Sequence, residues 1–284
     1  MDSVLHGAAV ATFLEHLLFP PERLDRAALG RSLEGRTVLV TGASFGIGEQ
    51  VARIAGRAGA TVFLVARTVE RLQDVAAGIV ADGGIAHILP CDFDDPAAVE
   101  RLTAALPALD ILVSNAGKSI RRPVLAALDR PQDVTRTNAI NFLAPCRLAL
   151  AAMPALVERR GQIINVSAVN VLLPPATGWA AYQASKTAFD QWLRSTAPEL
   201  GARGVAVTSI YLPLVRTRMI APTRAYDRAP AMTSEQAAHR IAAAMLTRPR
   251  RWRPWWLPPA QLGIALVGRA WEPLAEHRER RALR

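Results

Sequence analysis

A tyrosine and a lysine spaced four residues apart are the side chains in this sequence best suited to acid–base chemistry. Tyr182 and Lys186 lie in the stretch AYQASK, and on a helix this spacing places both side chains on one face. A free tyrosine has a pKa of about 10, and a neighbouring ammonium favours the phenolate. We therefore expect Lys186 to lower the pKa of Tyr182 and to make it a proton donor or acceptor near neutral pH. Because ordinary amphipathic helices also contain this spacing, the surrounding elements decide its meaning.

A glycine-rich turn upstream has the composition of a phosphate-binding site. Residues 37–40 predict a short buried strand, and a helical pattern follows from about Ile47 to Ala58. Glycines let the backbone approach a ligand, and the free N–H groups of a helix N-terminus attract phosphate. The turn between strand and helix is therefore a predicted dinucleotide site, formed by Gly42, Ser44, Phe45, Gly46, Ile47 and Gly48.

The residue after the second predicted strand indicates which dinucleotide binds. Residues 61–66 predict a strand, and Arg67 follows it where an NAD-binding fold normally carries an acidic residue. A guanidinium forms a bidentate pair with a phosphate, whereas a carboxylate would repel one. The sequence thus predicts NADP(H) as cofactor. The alternative is that Arg67 is one solvated surface arginine among many.

Two more polar segments follow predicted strands. Asp92 follows the strand at 85–89, and the strand at 110–113 runs into SNAG, which holds Asn115, Ala116 and Gly117. Ligands bind at the carboxyl ends of strands in open α/β sheets. Strand and helix patterns alternate from residue 36 to residue 211 without a linker. We therefore predict a single Rossmann-type domain, a doubly wound parallel sheet with helices on both faces.

These segments together resemble the short-chain dehydrogenase/reductase family. TGASFGIG, CD, SNAG, NFLA and YQASK occur in the family's order between about residues 35 and 246. The resemblance implies that Tyr182 is the catalytic acid/base, and that Lys186 lowers its pKa and holds the nicotinamide ribose. It implies that Asn141 holds a water in the proton relay, with Asn138 as the competing candidate. It also implies further contacts to the cofactor. Asp92 would contact the adenine, Asn115, Ala116 and Gly117 would line the cleft, and the segment Val215 to Thr217 would contact the carboxamide end.

One position departs from the family pattern. After the strand at 162–166 the family usually shows two hydroxyl residues, the second of which hydrogen-bonds the substrate carbonyl, and here the pair is Ser167 and Ala168. We predict that Ser167, fifteen residues before Tyr182, brings its hydroxyl into the site. The alternative is that Ser167 only caps the strand end, which would leave Tyr182 as the sole strong donor to the substrate oxygen.

A finer resemblance points to the bacterial branch of the family that includes fatty acyl-CoA reductases. The stretches NAGKSIRR and LVRTRMIAPT carry it. Lys118, Arg121 and Arg122 would place three cations at the mouth of the cleft, where they would steer the phosphates of a CoA-type substrate. A solvated basic loop is the alternative reading of the same residues.

The predicted function is an NADP(H)-dependent oxidoreductase that moves hydride between nicotinamide and a carbonyl or alcohol carbon. The expected substrate is a lipophilic small molecule: an aldehyde, a ketone or a fatty acyl-CoA. A hydroxysteroid or other secondary-alcohol dehydrogenase is the alternative enzyme. A cofactor-binding regulatory protein with impaired catalysis is the alternative of another class, and it is suggested by Ala168.

The chain divides into three expected segments: a helical extension at 1–34, the Rossmann domain at 35–247, and an Arg/Trp-rich extension at 248–284. The apolar stretch Ser3–Phe19 is interrupted by two histidines and a glutamate. These polar residues argue against both a secretory signal and a membrane-spanning helix. Tryptophan and arginine in the C-terminal extension fit a peripheral membrane contact, packing on the core, or a second copy of the chain. Within the domain, Arg130–Arg160 predicts one long helix that is kinked or broken at Pro145 or Pro154.

Composition excludes several other classes. The net charge is +10, but the chain has no nucleic-acid-binding motif, so no nucleic-acid partner is predicted. Cys91 and Cys146 lack CxxC spacing, and the five histidines are scattered. We therefore predict neither disulfides nor a metal site, and a reducing cytoplasm as the compartment.

Overall fold

The fold is built on one parallel sheet. The computed structural model describes residues 14–282 apart from 222, 224, 225, 227 and 268–270, so most of the predicted helix Ser3–Phe19 lies outside the described residues, which include a helical turn at 14–18. Seven strands pair in the order β3-β2-β1-β4-β5-β6-β7, and every pairing is parallel. They are β1 Thr37–Thr41, β2 Thr61–Ala66, β3 Ile85–Pro90, β4 Ile111–Ser114, β5 Gln162–Ala168, β6 Ala206–Leu212 and β7 Arg251–Trp252.

Helices cover both faces of this sheet. They are α1 Arg26–Leu33, α2 Gly46–Arg57, α3 Val69–Ala81, α4 Pro96–Ala104, α5 Gln132–Asn138, α6 Ala144–Glu158, α7 Ala180–Gly201, α8 Ser234–Thr247, α9 Leu257–Val267 and α10 Trp271–Ala282. One apolar core contains α1, α2, α3 and α8, and a second on the opposite face contains α4, α6 and α7. Strands buried on both faces explain the unbroken apolar runs such as VLV in β1. The predicted doubly wound parallel sheet is confirmed.

The order of the strands reverses beside β1. The chain passes from β1 to β2 and β3 on one side, then returns to place β4 on the other side of β1. Helix α2, which follows β1, and helix α6, which follows β4, therefore pack on opposite faces of the sheet and leave a crevice at its carboxyl edge. Open α/β sheets bind ligands at this switch point.

A π-helical turn interrupts the long helix predicted over Arg130–Arg160. It spans Ala139–Leu143 and separates α5 from α6. Pro145 has no N–H to donate to the carbonyl four residues earlier, that of Asn141, so one α-helical hydrogen bond is missing at this point. Pro154 lies inside α6 without ending it. The run Gln132–Glu158 is long and apolar enough to cross a membrane, but its inner face, with Leu148 and Leu156, is part of the core.

The sheet extends into the segment expected to be a C-terminal extension. β7 pairs with β6 through Ser209–Arg251 and Ile210–Trp252. Leu257, at the start of α9, is completely buried. Residues on both sides of position 247 therefore belong to the same core.

Candidate active site

The glycine-rich turn after β1 has the shape of a phosphate cradle. Gly42 and Gly46 adopt positive φ angles of 67° and 59°, which glycine tolerates best. A Cβ atom at Gly48 would lie 2.2 Å from the carbonyl oxygen of Gly42, so this position admits no side chain. Helix α2 starts here without a side-chain cap. Its free N–H groups therefore face the crevice as donors for an anion.

Thr41 ties this turn to the segment after β4. Its hydroxyl oxygen accepts hydrogen bonds from the backbone N–H groups of Asn115 and Ala116, both at 2.9 Å. The Asn115 amide donates to the carbonyl of Thr41 at 2.9 Å. The predicted cofactor residues of the two loops are thus brought together, and they form one wall of the crevice.

Arg67 and Asp92 lie side by side after β2 and β3. The Arg67 guanidinium is 3.9 Å from the Asp92 carboxylate, and both side chains are largely solvent-exposed. This loose contact leaves most of the five donors of the guanidinium available to a ligand. Ser44 lies in the turn after β1 and Ile47 in the first turn of α2, and both are partly buried.

Phe45 connects the turn to two arginines that the sequence did not single out. The guanidinium of Arg218 lies 3.7 Å from the centre of the Phe45 ring, and that of Arg71 lies 4.7 Å from it. Arg218 belongs to the connection between β6 and α8. In this connection Val215 is buried and bridges to Met232, and a Cβ atom at Gly46 would lie 3.3 Å from the Thr217 methyl group. Stacked cations therefore hold this connection against the cofactor turn.

Asn141 is buried in the π-helical turn and binds three groups. Its amide donates to the carbonyl of Lys118 and to the hydroxyl of Ser185, both at 2.9 Å, and its oxygen accepts from the Lys118 N–H at 2.8 Å. Asn138 instead donates to Val134 on its own helix. The geometry therefore places Asn141, and not Asn138, beside the Tyr182 helix.

Lys186 is buried at the centre of the site. Its Nζ donates to the Val166 carbonyl at 3.2 Å, and a Cβ atom at Gly117 would lie 3.2 Å from the same nitrogen. Burial lowers the pKa of Lys186 to about 8, because removing an ammonium from water disfavours its charge. A side chain at position 117 would therefore crowd this ammonium.

Ser167 carries a buried hydroxyl without a hydrogen-bond partner among the described residues. Its side chain is 4% exposed. Strand side chains alternate, so Ser167 shares its face of β5 with Asn165, whose amide reaches Asp190 on α7 at 3.3 Å. Ala168 belongs to the opposite face. The Ser167 hydroxyl therefore lies on the face of the sheet that faces the Tyr182 helix.

The pKa of Tyr182 differs from the expectation. Burial, and to a smaller extent the nearby Tyr226 phenol, raises it to about 12. The expected lowering by Lys186 is therefore wrong for this structure, because loss of hydration outweighs the attraction of an ammonium that binds Val166. Tyr182 is consequently protonated at neutral pH.

Trp179 and Tyr226 join the site without having been predicted. The Trp179 ring centroid lies 5.7 Å from that of Tyr182, edge to face, and 6.1 Å from that of Tyr226, nearly parallel. Trp179 lies three residues before Tyr182, so helical spacing could have indicated it. No spacing signal connects Tyr226, which lies 44 residues beyond Tyr182, to the site.

The three predicted mouth cations have different environments. Arg122 pairs with Asp133 at 2.7 Å, whereas Lys118 and Arg121 form no ion pair with a described residue. Arg121 is exposed, and Lys118 is partly buried. Two of the three cations are thus available to an anionic ligand.

The C-terminal helices brace the loop that follows β5. The Gln261 amide donates to the Leu172 carbonyl at 3.0 Å, and the Trp271 indole donates to the Pro175 carbonyl at 3.2 Å. From the other side, the Gln183 amide donates to the Asn170 carbonyl at 2.6 Å. This loop leads from Ser167 to Tyr182, so α9 and α10 help to shape the space above both.

Comparison with known proteins agrees with this site. The family model described as short chain dehydrogenase matches residues 36–228. The chain belongs to this family and is an oxidoreductase. It is 44% identical over 230 residues to a fatty acyl-CoA reductase of Acinetobacter baylyi, covering 79% of this chain and 78% of that relative. It is 43% identical over 227 residues to a fatty acyl-CoA reductase of Mycobacterium tuberculosis, covering 78% and 77%.

A solved structure shows the same architecture. The short-chain dehydrogenase from Sphingobium yanoikuyae in complex with NADPH matches with a TM-score of 0.71 at 25% identity, covering 86% of this chain and 94% of that one. The resemblance to the family, and within it to proteins named fatty acyl-CoA reductase, is confirmed.

Proposed function

We propose that this protein is an NADP(H)-dependent reductase of lipophilic carbonyl compounds, with fatty acyl-CoA thioesters as its main substrates. The observation that carries the proposal is the convergence of Lys186, Asn141 and the unpartnered Ser167 hydroxyl around the Tyr182 helix, beside an uncapped helix N-terminus. Bound NADPH would supply hydride to the carbonyl carbon. The side chains described above would do the rest of the chemistry.

The residues around the crevice fit the proposed cofactor. The Gly42 and Gly48 backbones leave space where side chains would otherwise stand, and the N-terminus of α2 offers N–H groups to the pyrophosphate. Arg67 would bind the 2′-phosphate, while Asp92 would contact the adenine side. Relatives of this fold have been solved with NADP or NADPH bound.

Tyr182 would donate the proton that the substrate oxygen needs as it gains negative charge. Its hydroxyl remains protonated because burial raises its pKa to about 12. The Ser167 hydroxyl would donate a second hydrogen bond to the same oxygen, which explains why it has no partner among the described residues. Removing one such donor typically slows an enzyme about 100- to 1,000-fold. Lys186 would hold the nicotinamide ribose, and Asn141 would hold the relay water.

The substrate class follows from the relatives and from the mouth of the site. Two relatives at 43–44% identity are named fatty acyl-CoA reductase. Lys118 and Arg121 are free among the described residues to bind the phosphates of a CoA moiety. An acyl chain would lie against apolar surface of the loop braced by α9.

We also propose a cytoplasmic protein that touches membranes through α9. Leu262 and Leu266 lie one turn apart on this helix and are 65% and 80% exposed. Trp255 is exposed too, and its indole binds the Leu17 carbonyl. Apolar side chains next to arginines suit an anionic lipid surface. A homo-oligomer stays a prediction, and the exposed Leu143 of the π-helical turn and Leu150 of α6 offer it an apolar face.

A substrate screen tests this function. Purified protein is given NADPH with acyl-CoA thioesters, aldehydes and ketones of graded chain length, and NADP with secondary alcohols and steroids. We expect NADPH oxidation with long-chain acyl-CoA and release of the free CoA thiol. Oxidation of secondary alcohols without any acyl-CoA turnover would instead identify a secondary-alcohol dehydrogenase. Tight NADPH binding without turnover of any carbonyl would identify a regulatory protein.

A further inference from the structure

A second phenol stands beside Tyr182. Tyr226 lies on the connection between β6 and α8, and its ring stacks on Trp179 at 6.1 Å with only 20° between the planes. Trp179 also contacts the Tyr182 ring. The two phenols are near enough for Tyr226 to raise the pKa of Tyr182. Both therefore border the same reaction space, although only one is needed to protonate a carbonyl oxygen.

Arg121, which has no ion pair with a described residue, lies beside this second phenol. Arg121 is near enough to Tyr226 to favour its phenolate, although burial raises the Tyr226 pKa overall. The position of Arg121 is fixed locally, because the N–H of Arg122 donates to the Gly178 carbonyl at 2.8 Å, just before Trp179. A Cβ atom at Gly178 would lie 3.8 Å from the Arg121 side chain. Arg121, Trp179 and Tyr226 thus form one group at the mouth of the site.

Reduction of a thioester needs one more chemical step than reduction of a ketone, because a leaving group must depart. Once the thioester carbon has received hydride, it carries an oxygen and the sulfur of the leaving group. Tyr182 would protonate the oxygen, and Ser167 would donate a hydrogen bond to it. The C–S bond must still break, and the sulfur then leaves as a thiolate unless an acid protonates it. Lys186 is buried against Val166, and both amide N–H groups of Asn141 are already donated, so neither residue is available to protonate the sulfur.

We propose that Tyr226 is the acid that protonates the departing thiol, and that Arg121 stabilises the phenolate left behind. The inference rests on the proposed thioester substrate. It assigns a residue to the second half of the reaction, in which the C–S bond breaks and the thiol leaves. The step balances as follows. The Tyr182 phenolate takes back the hydroxyl proton of the hemithioacetal, the carbonyl re-forms as the C–S electron pair passes to sulfur, and Tyr226 gives its proton to that sulfur. The products are an aldehyde and the free thiol, and solvent reprotonates Tyr226 beside Arg121.

The test compares two reactions in one variant. Tyr226→Phe keeps the ring that stacks on Trp179 and removes only the hydroxyl. In single turnover with a long-chain acyl-CoA and NADPH, we expect thiol release to slow about 10- to 100-fold, at the low end for general acids because thiolates leave readily. NADPH consumption in the first turnover should slow much less. Reduction of the matching aldehyde, which has no leaving group, should fall less than about threefold.

Two other variants separate a catalytic from a packing role. Tyr211→Phe removes a buried hydroxyl outside the site, so any loss it causes should be equal for acyl-CoA and aldehyde. With acyl-CoA at saturating concentration, so that weaker binding of the CoA phosphates has no effect, Arg121→Gln should reproduce the selective loss of thiol release, and Arg121→Lys should restore part of it. Equal loss on both substrates in Tyr226→Phe, or no loss on either, would overturn the assignment. Wild-type protein that reduces aldehydes but releases no thiol from any acyl-CoA would instead overturn the thioester substrate itself.

Discussion

The amide of Asn141 donates a 2.9 Å hydrogen bond to the hydroxyl of Ser185, 44 residues further along the chain. That hydroxyl in turn donates to the Tyr182 carbonyl at 2.9 Å. A polar side chain in a π-helical turn thus reaches the first turns of α7, where Tyr182 and Lys186 lie. Since π-helical turns are frequent at functional sites, we interpret the irregularity before Pro145 as the feature that aims Asn141 at this helix.

Asp190 should contribute strongly to stability. Its buried carboxylate accepts from Ser209 at 2.8 Å and from Tyr211 at 3.0 Å, and Arg194 lies 3.7 Å away. Asp190→Ala would leave these groups unpaired inside the protein, so we expect a loss of about 3–5 kcal/mol in the free energy of unfolding. Urea denaturation measures it.

Asp82 provides the matched control, because its ion pair with Arg57 is solvent-exposed. Asp82→Ala should cost only about 0–1 kcal/mol. Losses of similar size in the two variants would contradict the role given to the buried network.

Arg67 should set the preference for NADPH. Loss of a hydrogen-bonded charged pair costs about 1.5–3 kcal/mol, or about 10- to 100-fold in affinity. We expect Arg67→Asp to weaken NADPH binding by at least that factor and to shift preference toward NADH, measured by fluorescence titration. Arg57→Asp, at a comparably exposed arginine at the far end of α2, should change neither. A wild-type protein that binds NADH more tightly than NADPH would show that Arg67 is only a surface charge.

The charge of Lys186 should make cofactor binding depend on pH. Its pKa is lowered to about 8, so the ammonium is present below that pH and is lost above it. If it holds the nicotinamide ribose, NADPH affinity should fall as pH rises from 8 to 9.5. Lys186→Arg keeps its charge across this range, so any residual binding in that variant should be independent of pH. A wild-type NADPH affinity that stays constant up to pH 9.5 would show that the Lys186 ammonium does not contribute to cofactor binding.

Leu262 and Leu266 should mediate membrane contact. A truncation after Thr247 would also remove β7 and the buried Leu257, so it would damage the fold. The double substitution Leu262→Gln with Leu266→Gln changes only exposed side chains. We expect it to reduce co-sedimentation with anionic liposomes and to spare the reduction of a short soluble aldehyde. High salt should weaken the wild-type interaction, because arginine attraction is screened. Unchanged liposome binding by the variant would contradict the proposed membrane contact through Leu262 and Leu266.

The sequence predicted the elements whose signals are local. The Gly42–Gly48 turn and the strands before it and after it follow from apolar runs and glycines a few residues apart. Interactions between distant segments left no such signal. β7 is only two residues long, and the contact between Tyr226 and Trp179 depends on how the connection after β6 folds back. The raised pKa of Tyr182 was also beyond the sequence, because burial, and not helical spacing, determines it.

Replacement of Tyr182 by phenylalanine tests the central claim most directly. The variant lacks only the hydroxyl that is proposed to transfer the proton, so NADPH should still bind with nearly wild-type affinity. Steady-state reduction of the best carbonyl substrate should fall by at least about 100-fold. Retention of full reductase activity in Tyr182→Phe, with NADPH binding unchanged, would contradict the account.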